Sequence, residues 1–103
     1  MNNTTLDDID KIIHEPARLL IVMHLSMLEK ADFLYLMAAT GLSKGNLSAH
    51  LQKLENSGYI EISKHFIGKK PQTLLHLTEL GKEKFELYKD TMQDLWSSMT
   101  LGK

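Results

Sequence analysis

The chain has 103 residues, 43% of them hydrophobic, with 12 Lys or Arg against 13 Asp or Glu and a formal net charge of −1 at pH 7. That is enough for one core and hardly two. The absence of cysteine excludes disulfides, thiolate metal sites and a cysteine nucleophile, and no apolar run, Leu19 to Met23 included, is long enough to cross a bilayer.

In chain order, the polar start Met1-Asn2-Asn3-Thr4-Thr5 lacks the cationic and apolar regions of a signal peptide, so the cytoplasm is expected. Leu6, Ile9 and Ile13 recur at helical spacing and predict a short amphipathic helix over about 5–14, capped by Thr4 or Thr5, with Asp7, Asp8 and Asp10 complementing its dipole. Pro16 suits the first turn of a second helix, Ala17 to Leu28. That helix is apolar on most sides and should be central. A third helix is predicted from Asp32 to Thr40.

Ser43 is a good N-cap for a fourth helix, and Gly58 stands where a left-handed residue would stop it. On this helix Leu47, Leu51 and Leu54 share one side, whereas Gly45, Asn46, Ser48, Ala49, Gln52 and Lys53 share the other. The outer face is polar, small and nearly free of acid. A solvated helix usually carries Glu and Lys four apart, but a helix entering a major groove needs short side chains and amide or cationic groups for bases and phosphates. Gly45, which costs a helix roughly 1 kcal/mol relative to alanine, is explained either by close approach of a phosphate or by crowding from the preceding helix.

Tyr59 to Phe66 and Gln72 to Thr78 read as two strands around a basic tip, Ile67-Gly68-Lys69-Lys70-Pro71. Thr78 can cap a last helix over about 78–99. Its Phe85, Tyr88, Met92, Leu95 and Met99 form a heptad-like seam with Trp96 alongside.

Residues 33 to 81 resemble the small winged helix-turn-helix regulators of the ArsR/MarR type, most closely the compact prokaryotic winged helix DNA-binding group. The resemblance rests on Phe33 and Leu36, on Gly45-Asn46-Leu47-Ser48-Ala49-His50-Leu51, on Leu54-Glu55 and Gly58-Tyr59, on Lys64 and Phe66, on Pro71 and Thr73, and on Leu77-Thr78 with Gly81. Thr40 and Met37 depart from the usual pattern. The resemblance implies a mainly α fold with a small β-hairpin, order α-α-α-α-β-β-α, over one domain spanning 1–103, and a double-stranded DNA partner.

The charge distribution agrees. Residues 1–42 hold three Lys or Arg against six Asp or Glu, residues 43–70 five against two, and residues 71–103 four against five. The positive charge therefore sits on the fourth helix and hairpin. Expected DNA contacts are Ser43, Lys44, Asn46, Ser48, Ala49, His50, Gln52, Lys53, Lys64, Lys69, Lys70 and Gln72. Asn46 and Gln52 are the candidates for base edges, because no acid is expected beside them. His50 could touch a phosphate or bond within the protein.

A single small core needs only part of the last helix, so a homodimer is expected through Leu6, Ile9, Ile13, Tyr88, Met92, Leu95, Trp96 and Met99. Packing of Trp96 within one chain is the alternative. No histidine pair has metal-ligand spacing and no enzyme motif appears, so neither metal, cofactor nor catalysis is expected. Whether a small-molecule effector exists is not legible. The rival reading is a protein-interaction module, which would show exposed apolar residues at the recognition face; Ile67 alone is expected there.

Overall fold

Side-chain oxygens open each helix in the computed structural model, which describes residues 4–101. Met1, Asn2 and Asn3 of the polar start lie outside that range. Glu15 accepts from the Arg18 N–H at the start of α1 (Pro16–Met27), and Asp32 from the Tyr35 N–H at the start of α2 (Phe33–Thr40). Ser43 does the same for α3 (Lys44–Asn56), as does Thr78 for α4 (Glu79–Leu101). Each satisfies an N–H that the first helical turn leaves open.

Three strands, β1 (Ala31–Asp32), β2 (Ile60–Ile67) and β3 (Lys70–Leu77), form an antiparallel sheet in the order β1-β3-β2. Ile60 faces Leu77 at the inner end of the hairpin and Ile67 faces Lys70 at the outer end. The connecting turn is Gly68-Lys69 alone, with φ of 64° at Gly68 and no positive φ at Lys69, as a type II′ turn requires. Lys70 and Pro71, expected in the loop, therefore belong to β3. Because β1 reaches only Leu74 and Leu75, Pro71 keeps one open edge where a missing donor is tolerated.

The core joins Ile21, Val22 and Leu25 of α1 to Leu36, to Leu47, Leu51 and Leu54 of α3, and to Ile60 and Leu75 of the sheet. Between α2 and α3, Gly41 takes a φ of 73° and its N–H meets the Met37 carbonyl. Thr40 fits there because its hydroxyl donates to the Leu36 carbonyl at 2.6 Å and accepts from the Leu42 N–H at 3.3 Å. Met37 is half-buried against the core.

The expected helix over 5–14 does not form, so the observed order is α-β-α-α-β-β-α. Only Leu6–Asp8 make a 3₁₀ turn. Asp10 Oδ1 accepts from the N–H groups of Ile12 at 2.8 Å and Ile13 at 3.1 Å, a local side-chain alternative to helical bonding. Thus folded back, the segment becomes part of the body of the protein. Ile13 is 0% exposed and Tyr88 7%, so both belong to the core of one chain and not to an interface between two. Tyr88 also meets His14 Nδ1 through its hydroxyl at 2.8 Å, and Ile9 packs half-buried on the same core.

Candidate nucleic-acid interface

The buried stripe Leu47, Leu51 and Leu54 fixes the rotation of α3 and turns its polar side outward. Lys44, Gly45, Asn46, Ser48, Ala49, Gln52 and Lys53 are all exposed. Gly45 has open space around it: a Cβ there would meet nothing within 4 Å. Crowding by α2 therefore does not explain the glycine.

Beside this face runs an open groove of about 680 Å³ between α2, α3 and the hairpin. Lys44, Ser48 and Gln52 line it from α3, Lys64 from β2 and Gln72 from β3. Five of the expected contacts thus converge on one concavity, while Asn46, Ala49 and Lys53 lie on the exposed face of the helix and Lys69 at the hairpin turn. Ser43 is exposed, and its hydroxyl is occupied in capping Asn46 at 3.2 Å.

Two expected contacts also bond other side chains of the protein. Gln52 Nε2 donates to Glu55 Oε1 at 3.2 Å and to Asn56 Oδ1 at 2.9 Å, so an acid does stand beside it, one turn on along the helix. His50 turns toward α1, where the guanidinium of Arg18 donates to its Nδ1 at 3.2 Å and Glu15 lies 3.8 Å away. Arg18 also donates to the Ile12 and Lys11 carbonyls. Burial pushes the Glu15 carboxyl up, but the backbone N–H of Arg18 and the cationic surroundings that include the Arg18 guanidinium outweigh it and hold the group below its ordinary value. His50 thereby ties α3 to α1.

The sequence reading did not single out Phe66 or Leu34 as exposed. Phe66, on β2, is 75% exposed and Leu34, at the groove edge on α2, is 73% exposed. Phe66 follows Ile60, Ile62 and Lys64 on one face of its strand, and that alternation was the signal available. Gly81, which the sequence pattern offered only as part of a motif, has a packing role. A Cβ there would collide with the Tyr59 carbonyl oxygen and approach its carbon to 2.9 Å.

Between α1 and α4 lies a second, apolar groove of about 780 Å³, lined by Leu19, Met23, Phe85, Tyr88, Met92 and Trp96 among others. Trp96, at its end, is 64% exposed and Met99 76%, while Leu95 is half-buried. No helix among the described residues is long and apolar enough to cross a membrane, and no group of three metal-ligating side chains occurs among them.

A family model described as a winged helix DNA-binding domain matches residues 17–96. An uncharacterized protein of Methanocaldococcus jannaschii is 36% identical over 78 residues, covering 76% of this chain and 85% of that one. A transcriptional regulator homologue from Pyrococcus horikoshii OT3 superposes with a TM-score of 0.80 at 27% identity, covering 85% of this chain and 87% of that chain. A putative MarR-family regulator from Porphyromonas gingivalis W83 shares the fold with a TM-score of 0.67 at 21% identity, over 81% of this chain and 80% of that chain. Given a match across most of its length and an exposed helix beside a basic hairpin, the chain belongs to the winged helix DNA-binding domain family and is a DNA-binding transcriptional regulator.

Proposed function

We propose that the chain acts as a sequence-specific homodimer, with α3 in a major groove and the hairpin wing on the backbone or adjacent minor groove of each half-site. The observation that carries this is the convergence of Lys44, Ser48, Gln52, Lys64 and Gln72 on one groove beside the acid-poor face of α3. Asn46 is the best reader of a base edge, because its exposed amide can pair bidentately with adenine. Lys44, Ser48, Lys53, Lys69 and Lys70 hold phosphates and set the register.

The dimer follows from size and from the apolar surface left over. Leu95, Trp96 and Met99 continue α4 beyond Met92, which still packs on the core, and the groove against α1 borders them. One wing and one helix carry little positive charge, so two copies are needed for tight binding at physiological salt.

The exposed Phe66, Ile67 and Leu34 are what a protein-interaction module would offer. Lys64, Lys69 and Lys70 flank Phe66 and Ile67, and with no Asp or Glu between Glu61 and Glu79 they favour a polyanion.

Fluorescence titration of duplex DNA over a salt series tests the reading. Lys69→Ala with Lys70→Ala should weaken binding to all duplexes about equally and lower the salt slope by about 1 to 2 units. An unchanged affinity and slope would remove the wing from the interface.

A further inference from the structure

Phe66 is a large apolar side chain which, with Ile67 beside it, is exposed at a hairpin end that also carries Lys64, Lys69 and Lys70. It faces Pro71 across the strands, one pair inward from Ile67 and Lys70 and two residues from the turn. Lys64 precedes it on the same strand face, Lys69 sits in the turn, and Pro71 lines the groove beside α3. The Phe66 ring therefore lies on the side of the wing that continues the groove. No core reaches it, so folding does not account for a phenylalanine there.

We propose that Phe66, backed by Pro71, is an apolar wedge for the minor groove, pressing on a base step beside the basic turn and making the wing select steps that unstack readily. The idea rests on the wing placement proposed above. Side chains such as Phe and Pro are the ones that minor-groove proteins set against base steps, opening the stack and bending the duplex. Pyrimidine–purine steps yield most easily, so the wedge would supply preference at a position read by deformability and not by hydrogen bonds. The surrounding lysines bring the ring to the duplex, since they attract phosphate while the aromatic face gains from leaving water.

The test uses the full chain and a duplex selected by it from a random pool. A 2-aminopurine is scanned through the steps flanking each half-site, and each step is varied between TA, CA and GC. The wild type should brighten the probe at one step per half-site and prefer TA or CA there about tenfold over GC. Phe66→Ala should lose both effects at an unchanged salt slope, and Phe66→Leu should keep most of each. If Phe66→Ala matches the wild type while Lys69→Ala with Lys70→Ala still lowers the slope, the wedge is wrong and the wing remains on DNA. If neither variant changes binding, the wing is not on DNA and both readings fall. A Phe66→Ala protein that differs only in sedimentation would assign the ring to a protein contact and overturn the wedge.

Discussion

The Tyr59 hydroxyl donates to Asp10 Oδ2 at 2.6 Å, joining two residues 49 positions apart in the sequence. Asp10 orders the segment leading into α1, and Tyr59 directly follows the glycine that ends α3. The N-terminal segment and the foot of α3 are thus one hydrogen-bonded unit. Burial, then the hydrogen bond and charge of Asp10, raise the Tyr59 hydroxyl well above its ordinary value.

Tyr59→Phe should cost about 1 to 2 kcal/mol, since a charge-assisted bond is lost while Asp10 keeps its two backbone donors. The pH dependence has a definite sign. With the folded value raised, the unfolded chain gives up this proton first, so the contribution is full below about pH 10 and fades as pH climbs through the folded value. Urea unfolding from pH 8 to 11 should show the two proteins converging at the alkaline end. A constant gap would remove Tyr59 ionisation as the cause.

Gly45 and Gly81 should respond to alanine in opposite directions. At Gly81 the new Cβ strikes the Tyr59 carbonyl, and a cost of about 2 kcal/mol or more is expected in thermal unfolding. At Gly45 the space is open, so Gly45→Ala should raise stability by up to about 1 kcal/mol. The same variant should bind DNA more weakly, because the added methyl stands where a phosphate would approach. Increased stability with unchanged affinity would show that nothing packs against Gly45 in the complex.

Long periodic elements were legible in the sequence, whereas contacts between distant segments were not. Pro16, Asp32, Ser43 and Thr78 mark helix starts within a residue, because each acts on its own first turn. Leu6, Ile9 and Ile13 have helical spacing too, yet Asp10 diverts the backbone and Tyr59 holds it there. β1 has two residues and no period at all. The polar face of α3 could be read from its leucines, but the attachment of His50 to Arg18 required the position of α1. The acid beside Gln52 was legible in the sequence, since Glu55 stands three residues along the same helix.

Asn46 and Gln52 should separate in a specificity assay. Asn46→Ala should lose about 1 to 3 kcal/mol on the preferred site and much less on random duplex. Gln52→Ala should lose less than that, because its amide already donates to Glu55 and Asn56. The comparison is made by competition titration, and equal losses on both duplexes would demote Asn46 to a phosphate contact.

Trp96→Glu should leave a folded monomer. The side chain is largely exposed on one chain, so helical circular dichroism should stay near native, while a charge in an apolar seam costs association about 2 to 4 kcal/mol. Sedimentation at tens of micromolar reads the outcome, and affinity for an inverted repeat should fall with it. A variant that remains dimeric would move the interface away from α4, and one that unfolds would place Trp96 in the packing of the single chain.

Thr78 has a mechanical consequence. Its hydroxyl donates to the Gly58 carbonyl at 2.6 Å and accepts from the Gly81 N–H at 3.0 Å, while its own N–H meets the Tyr59 carbonyl at 3.0 Å. The end of α3 and the start of α4 are therefore pinned at one point, like the two arms of a bell crank. The 23 residues of α4 extend about 35 Å from that pivot. Ten degrees of tilt there corresponds to roughly 6 Å of travel at the far end, by the same helical rise. In the dimer proposed above, a sideways shift at the tip of α4 would be geared down at this pivot into a small rotation of α3, so the separation of the two α3 helices would be adjustable from the α4 surface.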